Sequence, residues 1–138
     1  METAILGRTG LRVSRMGIGA GGPSQIGKPT SLSEEESADL LRQAFDAGVN
    51  LVDSSENYGT EPIIGRAMRD RDRASVVLST KNSTRHQQVT EQTLAASLDA
   101  SLQALGTDYI GIYNLHGVVP QNYTYPSGRY LPRPRASP

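Results

Sequence analysis

The 138-residue sequence contains no cysteine, no tryptophan and a single phenylalanine. Without cysteine there is no disulfide framework, no cysteine-ligated zinc and no thiol catalysis. A surplus of either charge is also missing. Fourteen Lys and Arg balance fourteen Asp and Glu, so the chain lacks the basic footprint of a nucleic-acid binder. Its longest apolar stretches are only a few residues, too short to span a membrane. Met1-Glu2-Thr3-Ala4 shows no basic-then-apolar signal, so a soluble cytoplasmic chain is expected. At 36% hydrophobic and 5% aromatic residues, any core is aliphatic and modest.

What is present alternates. Ala4-Ile5-Leu6 and Leu11-Arg12-Val13 flank Gly7-Arg8-Thr9-Gly10, which reads as a β-hairpin whose glycines supply positive φ. Residues 16–20 form a short, weak strand. Ser33 followed by Glu36 makes a capping box, with Ala38, Leu41, Ala44 and Phe45 at helical spacing and Gly48 as the stop. A strand over 49–53, a short helix over 61–69 and a strand over 74–80 follow. Leu94, Leu98, Leu102 and Leu105 stripe a helix over 90–105, and Tyr109-Ile110-Gly111-Ile112-Tyr113 opens a last strand reaching Leu115. Strict β-α alternation implies a parallel sheet with right-handed crossovers. Both an open doubly wound sheet and part of a (β/α)8 barrel fit this order. Residues 117–138 hold five of the eight prolines and no aliphatic period, and read as a disordered tail.

The run Gly17-Ile18-Gly19-Ala20-Gly21-Gly22 matches a dinucleotide fingerprint in form. That fingerprint must open directly into a helix. Pro23 and Pro29 stand here instead, with no helix before residue 34, so a glycine-rich strand end is the better reading. The polar residues are more informative. Asp53, Lys81 and His116 fall at the ends of three successive strands, and Tyr58 lies in the loop after the first of them. Parallel α/β folds place their active sites on that face. A lysine ammonium beside a tyrosine favours the phenolate, an aspartate holds the lysine, and a neutral histidine orients a carbonyl oxygen or relays the proton. Such a group donates a proton to oxygen. No side chain delivers hydride, so a nicotinamide cofactor is implied. Taken singly, each residue has an ordinary explanation as a loop or strand-end polar group. His86, among Ser, Thr, Arg and Gln, reads as solvated.

Several segments resemble the aldo-keto reductase family. They are Leu6-Gly7-Arg8-Thr9-Gly10-Leu11, Gly48-Val49-Asn50-Leu51-Val52-Asp53-Ser54-Ser55 with Tyr58-Gly59, Ser79-Thr80-Lys81, and Leu105-Gly106-Thr107-Asp108-Tyr109-Ile110 ending at Leu115-His116. The resemblance implies a (β/α)8 barrel and NAD(P)H-dependent reduction of an aldehyde or ketone. NADPH is the commoner choice, NADH is not excluded, and no metal is involved. It also implies Tyr58 as proton donor, Lys81 as its activating group, Asp53 paired with Lys81 near the nicotinamide ribose, and His116 on the carbonyl. Gly19 and Ala20 would lie near the nicotinamide. Gly111 departs from the family, which commonly has Asp there, and a glycine inside a strand weakens it.

A closed barrel takes ~250 residues, so residues 1–116 correspond to about its first half: the hairpin and four strands. On this reading the outer strands become unpaired edges, and activity of the chain alone is expected to be impaired. The shift in composition near Tyr125 is read as an out-of-frame continuation. The alternative is a non-catalytic half-barrel that self-associates through its edges or binds a nicotinamide cofactor.

Overall fold

The computed structural model describes residues 1–83 and 89–118. His86 and the tail beyond Val118, with the change near Tyr125, lie outside them. Strands β1 (Thr3–Ile5) and β2 (Arg12–Ser14) form an antiparallel hairpin. Gly7 and Gly10 in its turn have φ of 53° and 76°, as the sequence demanded. Asn50 ties the hairpin down: its Oδ1 accepts from the Ser14 amide at 2.6 Å, and its Nδ2 donates to the Arg12 carbonyl at 3.0 Å.

Next come β3 (Ile18–Gly19), α1 (Glu34–Asp46), β4 (Leu51–Asp53), α2 (Glu61–Met68), β5 (Val77–Ser83), α3 (Glu91–Leu105) and β6 (Ile112–His116). The four later strands make one parallel sheet in the order β3-β4-β5-β6. Four parallel strands in chain order, joined by helical crossovers, are the layout of a partial (β/α)8 barrel. The capping box of α1 is present, with Ser33 and Glu36 each bonding the other's backbone. No α-helix follows Gly22 directly: a 3-10 segment over Gln25–Thr30 intervenes, so the glycine-rich run does not have the dinucleotide-fingerprint layout.

Several strand boundaries differ from the expected ones, and those of β5 and β6 bear on the site. The best apolar strand starts at Val77, not Ala74, because the Asp72 side chain caps a 3-10 turn over Arg73–Ser75. It runs on through polar Lys81, Asn82 and Ser83, which pair with Asn114, Leu115 and His116. Lys81 therefore sits inside β5 and does not end it. Gly111 lies before β6 and not within it; a Cβ there would meet the Leu78 carbonyl oxygen at 3.2 Å, so the chain approaches β5 closely. Arg73 fixes this approach by donating to Thr107 Oγ1 and the Val76 and Tyr109 carbonyls while stacking on the Tyr109 ring.

In-register parallel pairing sends paired residues to the same face. Val52 and Leu78 meet Ala38, Leu41, Phe45, Ile63, Ile64, Ala67 and Met68 in the core under the helices. Leu105 from α3 joins them, whereas Leu94, Leu98 and Leu102 are only half-buried. Leu78 is 1% exposed at the centre of this cluster, and Leu40 on α1 is 46% exposed. Leu78→Ala is expected to cost about 2–5 kcal/mol, and Leu40→Ala less than about 0.5 kcal/mol. Urea unfolding of the two variants checks the contrast.

Candidate active site

The other face of the sheet carries the polar residues. Asp53 pairs with Ser79, Lys81 with Asn114 and Ser83 with His116, so all six point to the side away from the helices. There Lys81 Nζ donates to Asp53 Oδ2 at 2.5 Å and to the Ser54 carbonyl at 2.6 Å. The second Asp53 oxygen accepts from Ser79 Oγ at 2.7 Å, and Asn114 Nδ2 donates to that Ser79 hydroxyl at 3.3 Å. The Lys81 side chain is 17% exposed and Asp53 44%. An ammonium this far from water needs its acceptors. The aspartate keeps lone pairs open to solvent, because a carboxylate has about four acceptor positions.

Tyr58 closes the cluster from the loop after β4. It ends a 3-10 turn, Glu56–Tyr58, and its amide bonds the Ser55 carbonyl at 3.0 Å. The turn is anchored at its start by Glu56, which accepts from the Ser83 amide at 2.6 Å and from the Ser97 hydroxyl on α3. At its end Lys28 Nζ donates to the Gly59 carbonyl. The Tyr58 ring lies on Gly21, where a Cβ would come within 2.4 Å of it, so only glycine admits the ring. Lys81 Nζ is 5.3 Å from the ring centroid. The His116 ring stands edge-on to Tyr58, 5.6 Å between centroids, and its Nδ1 is 3.1 Å from Ser55 Oγ.

Asp53, Tyr58, Lys81 and His116 are thus together on one face. Gly19 joins them, paired with Asp53, and a Cβ built on it meets nothing within 4 Å. Ala20 is placed differently. It is fully buried in the core cluster, and its amide bonds the Asp53 carbonyl at 2.7 Å. Sequence reasoning passed over Ser55, Ser79 and Asn114. Hydroxyl and amide residues are common on strands, and only the period-two spacing of Ser79 from Lys81 marks it. Among the described residues, no cluster of His, Asp and Glu is arranged to hold a metal ion.

Beneath the Glu56 anchor, Tyr113 shares the Ser97 hydroxyl at 2.9 Å. Burial pushes its phenol above the ordinary tyrosine value; the Ser97 hydrogen bond pulls the other way, and the charges of Glu56 and Glu61 add to the rise. The folded chain therefore holds this proton more tightly than the unfolded chain. Its contribution is complete below the unfolded value of ~10 and is lost as pH rises through the higher folded value. Melting temperatures across the alkaline range are expected to fall less steeply in Tyr113→Phe than in the unaltered chain.

The sequence pattern of the Aldo/keto reductase family matches residues 15–131. The chain is 30% identical to the NADH-specific methylglyoxal reductase of Escherichia coli (strain K12), over 84% of this chain and 42% of that protein. It is 31% identical to the aldo-keto reductase YhdN of Bacillus subtilis, over 84% and 38%. A probable voltage-gated potassium channel subunit beta of Oryza sativa is 34% identical, over 84% and 37%. Among solved structures, a thermostable aldo-keto reductase in complex with the inhibitor epalrestat superposes with a TM-score of 0.76 at 31% identity, covering 88% of this chain and 44% of that one. The chain spans about two-fifths of the length of these curated relatives. A chain that shares the family's sequence pattern from residue 15 to 131, and its fold across four consecutive strands, belongs to the aldo/keto reductase family.

Proposed function

We propose that this cluster is the proton-transfer part of a nicotinamide-dependent carbonyl reductase. The observation that carries the reading is Lys81, held by Asp53 on one side and set 5.3 Å from the Tyr58 ring on the other. In this reading Tyr58 donates its hydroxyl proton to the carbonyl oxygen as that oxygen gains negative charge. The nearby ammonium stabilises the phenolate left behind. Asp53 keeps the ammonium in place and offers its remaining lone pairs to a ribose hydroxyl. His116 contacts the substrate oxygen or passes on its proton.

The cofactor supplies the hydride that no side chain can. Gly19, where an added Cβ meets no neighbouring atom within 4 Å, and the half-exposed Asp53 carboxylate are the residues that would hold its nicotinamide end. NADPH is the cofactor proposed, with NADH the competitor, since one relative bears the name NADH-specific. The substrate proposed is a small aldehyde or ketone. A cytoplasmic setting belongs to the same reading; no helix among the described residues is long and apolar enough to cross a membrane.

The channel-subunit relative favours a second reading, in which the cluster binds cofactor without turnover. Self-association belongs with it, through β3 and β6, which lie at the edges of the four-stranded sheet. A reductase assay with NADPH and a model aldehyde separates the two. Tyr58→Phe is expected to lower kcat/KM by about 10²–10⁴-fold, the usual worth of a general acid, with little change in NADPH affinity. Turnover unaffected by the substitution would overturn the reductase reading. Cofactor binding with no aldehyde reduction in the unaltered chain would favour the second.

A further inference from the structure

Ser55 stands between two groups of the site and has one proton to give. Its side chain is fully buried. Its Oγ is 3.2 Å from the Lys81 carbonyl oxygen and 3.1 Å from His116 Nδ1. A hydroxyl has a single donor and two acceptor lone pairs. Toward a carbonyl oxygen it must donate. Toward an imidazole nitrogen it donates or accepts, according to which nitrogen carries the ring proton.

The sheet decides where the proton goes. Carbonyls two residues apart on a strand point the same way. The Ser79 carbonyl points toward β4, where the Ser54 amide reaches it at 2.8 Å. The Lys81 carbonyl points the same way, two residues further on, but β4 has ended at Asp53. The Ser55 hydroxyl therefore serves where the ladder has no further strand residue to offer. An acceptor left without a donor at this depth is costly. With its proton committed to Lys81, the hydroxyl has only lone pairs left for His116.

We infer that Ser55 is a positioning residue that holds neutral His116 as the Nδ1–H tautomer, with Nε2 a hydrogen-bond acceptor. The opposite arrangement, Ser55 donating to a bare Nδ1, makes one bond from the hydroxyl where this one makes two. The inference rests on the reading of His116 as a site residue only for its consequence, not for its geometry. That consequence is specific. A neutral His116 in this tautomer takes a hydrogen bond at Nε2 and serves the relay of a proton from a hydroxyl. It donates from Nε2 to a substrate carbonyl only after it has gained a proton, when both ring nitrogens are donors.

Long-range proton–nitrogen NMR correlation reads the tautomer directly in the chain without cofactor or substrate. A His86→Gln variant leaves His116 as the only histidine and assigns its ring. Spectra are taken about two pH units above the ordinary histidine value of ~6.5. The expected result is a majority Nδ1–H pattern in the His86→Gln chain. Adding Ser55→Ala is expected to convert it to majority Nε2–H, the form an unconstrained histidine side chain prefers. Ser55→Thr keeps the hydroxyl and is expected to keep the Nδ1–H pattern, and circular dichroism shows that each variant is folded. A majority Nε2–H pattern in the chain with Ser55, or a pattern unmoved by Ser55→Ala in a folded variant, overturns the inference. Neither result depends on turnover, so a failed reductase assay and a failed tautomer assignment are told apart.

Discussion

The ammonium of Lys81 is the point on which the polar face of the sheet is organised. It lies mostly out of water and is held by one carboxylate oxygen of Asp53 and by the Ser54 carbonyl. A cation in that position requires acceptors, and both acceptors come from the end of β4 and the residue after it. The contact therefore ties two strands together where the ladder between them stops. It also sets the direction of the chain leaving β4, and so where Ser55 and Tyr58 arrive.

The rest follows from the alternation of a strand. Val52 and Leu78 turn toward the helices and make the core, so Asp53, Ser79 and Lys81 turn the other way. One pattern of pairing builds both the support and the site. Thr80 and Asn82, polar residues on the helix side, are buried but bonded: Thr80 donates to Glu61 on α2, and Asn82 reaches Glu56. Glu56 in turn holds the Ser83 amide and the Ser97 hydroxyl, so the turn carrying Tyr58 is fastened to both β5 and α3. The tyrosine sits on a loop, yet the loop is pinned at both ends.

Much of this is legible in the sequence, for identifiable reasons. Helix α1 announces itself through Ser33 and Glu36, because a capping box is a local device that needs no tertiary contact. Asp53, Lys81 and His116 share one face because they lie in register near the C-terminal ends of three neighbouring parallel strands, and Tyr58 reaches them from the turn after β4. Strand β5 is less legible. Its apolar beginning was spent on a turn capped by Asp72, and its polar end was recruited by pairing with β6, which no local pattern reveals. Ser55 and Asn114 are invisible for a similar reason. Their roles depend on partners 61 and 35 residues distant in sequence. Ala20 was legible only as a strand-end residue; its methyl lies in the core, which no local pattern marks.

On the proposed function the open side of this polar face receives the nicotinamide, and Gly19 offers the most direct access to it. A Cβ built there meets no atom within 4 Å apart from its chain neighbours, and it would project beside Asp53. The decisive measurement is a fluorescence titration of NADPH into the purified chain and into Gly19→Val, with circular dichroism to show that both are folded. Saturable binding to the unaltered chain and at least a tenfold weaker affinity in the variant are expected. Equal affinity in the two, or no binding to the unaltered chain at millimolar cofactor, would contradict the proposed function.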